Sequence, residues 1–192
     1  MCFDEKFIQK LKRGDKKSFE RLFLSTYESL CEYSVTITSS KEVSEGAVQD
    51  VFESVWNSKE AIDENINIRA YLFRSVKNRS LDLVQHQNIR NKYNLEVNEM
   101  YSDNSNPGKG SSPEAKLINR VRQEVEKLPQ KSKEVYLLHR RDGLTYAEIS
   151  EVLGISIKAV EARMTKALKL LRERLVNEKD LNLLPLLAIF GI

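Results

Sequence analysis

The stretch LTYAEISEVLGISIKAVEARMTKALKLLRERL, residues 144–175, decides how this chain is read. Thr145 followed three residues later by Glu148 is the capping-box pattern, in which a hydroxyl and a carboxylate each satisfy a free backbone amide at a helix start. Ala147, Ile149, Val152 and Leu153 give that short helix apolar contacts. Gly154 allows a tight turn, and a second, longer helix follows. On it Ile157, Val160, Met164, Leu168, Leu171 and Leu175 recur at steps of three and four, which predicts one continuous buried stripe. Lys158, Glu161, Ala162, Thr165, Lys166 and Lys169 fall on the other side. A helix with one apolar face for anchoring and one polar, basic face suits the second helix of a helix-turn-helix, which enters the major groove of duplex DNA. Lys158 and Lys166 suit guanine edges or phosphates, Thr165 a thymine methyl or base edge, and Glu161 a cytosine amino group. Lys169 and Arg172 lie farther along and suit phosphate.

Two more helices are predicted just before this pair. Ile118, Val121, Val125 and Leu128 form the inward face of one, ended by Pro129, and residues 131–140 carry Val135, Leu137 and Leu138 up to the turn signal Asp142-Gly143. Ser112 and Pro113 suit the cap and first position of the earlier helix. Residues 91–113, NKYNLEVNEMYSDNSNPGKGSSP, are rich in Asn, Ser, Gly and Pro and read as a flexible linker. Before it, residues 3–89 read as a series of helices. Phe7, Ile8 and Leu11 start the series, Gly14-Asp15 marks a turn with Asp15 opening the next helix, and Phe19, Leu22, Phe23, Tyr27 and Leu30 follow. Ala47, Val48, Val51, Phe52, Val55 and Trp56, and then Ile68, Leu72, Val76 and Leu83, repeat the helical period. The expected fold is all-α: two small helical domains joined by a flexible linker, the second a four-helix domain containing the helix-turn-helix. The expected boundaries are 1–90, 91–113 for the linker, 114–178, and an apolar tail, 179–192.

Composition agrees with helices: 7 Gly and 4 Pro in 192 residues leave little punctuation for many short strands. The net charge of +3 says less than its distribution. Residues 41–65 carry seven acids against Lys41 and Lys59, whereas Arg69, Arg74, Lys77, Arg79, Arg90 and Lys92 then face Asp82 alone. An acidic block suits a basic protein partner and a basic block suits phosphates. Cys2 and Cys31 have no metal-ligand spacing and suit a reduced pair; His86 and His139 stand apart, so neither a metal site nor a cofactor is expected. The N-terminus lacks the continuous apolar core of a signal peptide. The tail LNLLPLLAIFGI falls short of the roughly 18–20 apolar residues of a membrane span. A cytoplasmic protein without a membrane span is expected, its tail folded back on its own domain or docked on a partner.

The stretches EGAVQDVFESVW, residues 45–56, and RAYLFRSVKNRSLDLV, residues 69–84, followed by Leu128-Pro129 and the helix-turn-helix, resemble in order and spacing the bacterial RNA polymerase sigma factors of the extracytoplasmic-function (ECF) group. The resemblance implies a region 2-like domain at 1–90 and a region 4-like domain at 114–178. It implies that Gln49, Asp50, Phe52, Glu53 and Trp56 dock on the clamp coiled coil of the largest subunit of core polymerase. Asn65 and Asn67 would then lie where an unstacked base of the minus-ten promoter element is captured, with Arg69, Arg74, Lys77 and Arg79 along the strand's phosphates. The minus-thirty-five element would be read through Ser156, Lys158, Glu161, Ala162, Arg163, Thr165, Lys166 and Lys169. Promoter DNA, core polymerase and an anti-sigma factor are the implied partners. No small-molecule substrate is implied.

The composition leaves two other readings. One is a stand-alone helix-turn-helix regulator without affinity for polymerase, against which residues 3–89 lack the strand–helix alternation of a receiver domain. The other is a nucleic-acid-processing enzyme, which would need Asp50, Glu53, Asp63 and Asp82 to organise a metal. No P-loop, nucleophile elbow or paired metal carboxylates accompany them, so a non-enzymatic protein is expected.

Overall fold

A computed structural model describes residues 3–93 and 113–176. Among the described residues the regular structure is helical: α1 (Glu5–Lys12), α2 (Lys16–Thr38), α3 (Lys41–Asn57), a 3-10 turn (Lys59–Ala61), α4 (Ile68–Tyr93), α5 (Pro113–Glu126), α6 (Gln130–Arg140), α7 (Tyr146–Leu153) and α8 (Ile157–Val176). The all-helical expectation holds. The helix α4 continues three residues beyond the expected linker boundary, through Tyr93. The apolar tail and most of the expected linker lie outside the described residues, as do Cys2 and the cap expected at Ser112.

The helices begin where short polar side chains can accept the first free amides. Asp4 Oδ1 accepts from the Phe7 N–H at 2.9 Å, and Asp15 Oδ2 accepts from the Ser18 N–H at 2.9 Å and its hydroxyl at 2.6 Å. Those Ser18 hydrogen bonds, the side-chain one foremost, hold the Asp15 carboxyl below the usual aspartate range. Gly154, with φ +65°, ends α7 and turns the chain into α8. A Cβ there would meet nothing within 4 Å, so glycine is needed for its backbone angle rather than for space.

The chain divides into two compact units, the first holding α1–α4 and α7, the second α5, α6 and α8. In the first, α2, α3 and α4 pack on one another. Leu22, Leu30, Tyr33, Val48, Val55, Leu72, Phe73 and Val76 are each at most 1% exposed. Phe19 and Phe23 of α2 meet Phe52 of α3 at ring distances of 6.0 and 4.9 Å, and Tyr33 of α2 meets Phe73 of α4 at 5.5 Å. Two buried hydroxyls, Ser34 and Ser80, satisfy each other at 2.8 Å across α2 and α4, so polar groups sit in this core without an unmet hydrogen bond.

In the second unit α5 and α6 pack on α8. Its buried stripe on α8 runs Val160, Met164, Ala167, Leu171 and Leu175. Ile157, expected in the stripe, is 46% exposed, and Leu168 is only half-buried, because Ala167 takes the inward position. Ile118 is likewise exposed on α5, whose Val121 and Val125, with Leu128 just beyond the helix, turn inward. Asp142 is buried and receives two hydrogen bonds from Arg141, at 2.9 and 3.0 Å.

The helix α7 lies against α4 within the first unit. Its capping box forms as expected: the Glu148 N–H donates to Thr145 Oγ1, and Glu148 Oε2 accepts from the Thr145 N–H at 2.6 Å. Partial burial works to raise the Glu148 pKa, but hydrogen bonds from the Thr145 amide, Asn67 and the Thr145 hydroxyl, with the charge of Arg69, outweigh it and the net shift is downward. A carboxylate with a depressed pKa stabilises the fold above its ordinary range, and that contribution is lost as pH falls through its folded value. Thr145→Ala is therefore expected to cost about 1 kcal/mol. Hydrogen exchange should show faster opening of the α7 amides in the variant, and the difference between variant and wild type should shrink on acidification.

Candidate nucleic-acid interface

Three surfaces hold the side chains that the sequence singles out. The first is on α3. Its period places Val48, Val51, Phe52 and Val55 in the core, which turns Gln49, Asp50 and Glu53 outward, all exposed. Phe52, expected at the docking surface, is 3% exposed and belongs to the core, where Phe19 and Phe23 cover it. Trp56 is half-buried: its ring meets Phe19 at 4.8 Å, and Lys59 Nζ lies 4.7 Å from its centroid while donating to the Trp56 carbonyl at 3.1 Å. Asp50 is engaged with Arg79 of α4, at 2.7 Å to one guanidinium nitrogen and 2.8 Å to Nε. Glu53 is an exposed carboxylate without such a partner among the described residues.

The second surface comprises the loop before α4 and the first half of that helix. Asn67 uses both ends of its amide. Its Oδ1 accepts from the Ala70 N–H at 3.2 Å, capping α4, and its Nδ2 donates to Glu148 Oε1 of α7 at 2.9 Å. Asn65 is exposed, its N–H donating to Asp63 Oδ1 at 2.9 Å. Lys77 reaches the Val152 carbonyl at 3.4 Å. Arg74 is exposed, and Arg69 is half-buried. The expected cations thus follow one helix, but Arg79 leans to Asp50 and Lys77 to α7. The sequence indicated the helix and its charge. It did not reveal that Asn67 is also a helix cap, although an Asn shortly before a periodic helix carries that signal. Tyr71 is half-buried and Phe73 fully buried, which leaves Phe73 to the core.

The third surface is on α8. Ser156 caps it, its Oγ accepting from the Ala159 N–H at 3.2 Å. Lys158, Glu161, Ala162, Thr165, Lys166 and Lys169 are all exposed and share one face. Arg163 is half-buried toward its edge. Lys169 pairs loosely with Glu173 at 3.9 Å. An exposed ion pair of that kind contributes little and yields readily to another anion. Among the described residues no three His, Cys, Asp or Glu side chains are grouped to hold a metal ion, and no helix is long and apolar enough to cross a membrane.

Residues 118–171 match the family model described as sigma-70, region 4. That span takes in most of α5, all of α6 and α7, and most of α8. Similarity extends beyond it. The chain is 29% identical over 162 residues to the RNA polymerase sigma factor CnrH of Cupriavidus metallidurans, spanning 80% of this chain and 84% of CnrH. It is 26% identical over 168 residues to the RNA polymerase sigma factor NccH of Alcaligenes xylosoxydans xylosoxydans, spanning 85% and 90%. The ECF RNA polymerase sigma factor SigW of Bacillus subtilis is 24% identical over 179 residues, spanning 89% and 96%. In fold it is similar to the solved structure of CnrH in complex with the cytosolic domain of CnrY, with TM-score 0.62 and 24% identity over 93% of this chain and 100% of that one. It is also similar to RpoE in complex with the anti-sigma factor NepR from Bartonella quintana, with TM-score 0.60 and 17% identity over 85% and 99%. Over most of its length the chain is thus similar to bacterial RNA polymerase sigma factors, one of them named as an ECF sigma factor.

Proposed function

We propose that this chain binds core RNA polymerase and directs promoter-specific initiation, with residues 1–90 acting as the region 2-like part and 114–178 as the region 4-like part. The observation that carries the reading is the exposed polar face of α8, Lys158 through Lys169, within the span that matches sigma-70 region 4. On α3, the carboxylates of Asp50 and Glu53 with the amide of Gln49 offer an acidic surface to a basic coiled coil, bordered by the exposed part of Trp56 and backed by Phe52 in the core. The loop bearing Asn65 and Asn67, with Arg69, Arg74, Lys77 and Arg79, receives the melted minus-ten strand. For this, Asn67 and Lys77 exchange their contacts with Glu148 and Val152 for nucleotide. Ser156, Lys158, Glu161, Ala162, Arg163, Thr165, Lys166 and Lys169 read the minus-thirty-five duplex. Nucleotide transfer belongs to the polymerase, so the chain needs no catalytic group of its own. It acts in the cytoplasm, and an anti-sigma protein holds it inactive, by analogy with RpoE, whose structure is solved in complex with the anti-sigma factor NepR.

The test is reconstitution. Full-length protein added to core polymerase should give discrete transcripts from its cognate promoter, identified by selection from a genomic fragment library. Lys158→Ala and Lys166→Ala should each weaken duplex recognition by about tenfold, within the roughly 1–3 kcal/mol that a direct base contact contributes. Duplex binding without polymerase binding or transcripts would favour the stand-alone regulator.

A further inference from the structure

A cleft of about 680 Å³ lies between α1 and the start of α2, lined by residues of those two helices and the turns flanking them. Five cations line it: Lys6, Lys10, Arg13, Lys17 and Arg21. All five are exposed, and among the described residues none of them forms an ion pair. Its two carboxylates, Asp4 and Asp15, are already engaged as helix caps. Asp15 offsets part of the charge of Lys10 and Lys17, but five cations against two carboxylates leave the cleft with an excess of positive charge. Nearby the chain does pair its cations: Lys12 on α1 meets Glu64 at 3.2 Å. Arg21 is also steadied, its guanidinium 5.7 Å from the centre of the Phe7 ring, which holds a cation at the cleft wall.

Like charges gathered in a concavity repel one another and focus a positive potential outward. A polyanion relieves that repulsion. The arrangement also has a repeat: Lys6 and Lys10 lie one turn apart on α1, Lys17 and Arg21 one turn apart on α2, and Arg13 stands at the corner between them. Steps of one helical turn, about 6 Å, set cations in rows along which a phosphodiester backbone can run. Phe7, the aromatic residue of the lining, is 7% exposed, so the cleft offers charge rather than the apolar anchor that a protein interface centres on. The geometry points to this α1–α2 cleft as a nucleic-acid backbone site, a sequence-independent phosphate contact additional to the promoter-reading surfaces. All nine lining residues belong to the first unit.

The experiment titrates full-length protein with random-sequence duplex DNA across a range of KCl concentrations, read by fluorescence anisotropy. Lys10→Gln/Arg13→Gln/Lys17→Gln is compared with a control of equal charge change, Lys41→Gln/Lys127→Gln/Lys131→Gln, and circular dichroism melts confirm that both fold. The cleft variant should bind about tenfold or more weakly at low salt. Its plot of log affinity against log salt should flatten by about 2.7, the loss expected for three phosphate contacts. The control should stay near wild type. Equal losses in both variants would reduce the effect to net charge and overturn the site, as would an unchanged cleft variant. Poly-glutamate binding lost in the cleft variant while DNA binding persists would overturn it in favour of an acidic protein partner.

Discussion

Phe73→Ala is expected to remove about 3–5 kcal/mol of stability from the first unit. Phe73 is 1% exposed, its ring lies 5.5 Å from that of Tyr33, and Tyr33 is itself 1% exposed. Truncation removes the buried ring and leaves a cavity whose walls are held by three long helices. A bundle built this way collapses only partly into such a gap, so the lost transfer energy and the lost contacts add. Because small domains are stable by only about 5–15 kcal/mol, one such cavity consumes a large share of the margin. Urea denaturation followed by circular dichroism would measure it. Leu81→Ala, on the same helix but 48% exposed, should cost a small fraction of this. Similar costs for the two would mean that α4 does not pack through Phe73.

Glu53→Lys is expected to weaken binding to core polymerase by about thirtyfold, or about 2 kcal/mol, as a reversed charge facing a basic partner does. Asp50 is the less informative position. Its carboxylate is bound to Arg79, so Asp50→Lys would set two cations together inside the unit and disturb α3 and α4 as well as any interface. Glu53 lies one turn farther along the same exposed face and lacks that pair. Glu60→Lys, an exposed site off this face with the same charge change, should have less than a twofold effect. Binding to labelled core polymerase would separate the cases. Equal weakening by Glu53→Lys and Glu60→Lys would reflect net charge and argue against docking through α3, whereas no effect of Glu53→Lys would remove α3 from the polymerase surface.

Helix positions were largely legible because local rules govern them. The Thr145–Glu148 box, the Asp15 cap and the Gly154 turn are set by backbone groups within four residues, and all three form where the pattern predicts. Which residue of an apolar period faces inward is a finer matter. Ile157 and Ile118 carry the right spacing, but each sits in the first turns of its helix, where the partner helix need not reach; Ala167, small and easily passed over, takes the buried place instead of Leu168. Phe52 shows the same limit at the candidate site. An aromatic residue among carboxylates suits an interface or a core equally well, and only the rings of Phe19 and Phe23 packed on it decide for the core.

By itself, then, the sequence determined the helical class, the helix starts and stops, the opposed acidic and basic blocks, and the helix-turn-helix with its exposed face. These follow from period, capping chemistry and charge, which act over a few residues. Tertiary structure alone decided that Asp50 is bound to Arg79, that Asn67 and Lys77 hold α7, and that cations of α1 and α2 converge on one cleft. Asp50 and Arg79 are far apart along the chain, as are Asn67 and Glu148. Such pairs exist only once the burial of apolar faces has fixed which helices are neighbours and how each is turned about its axis.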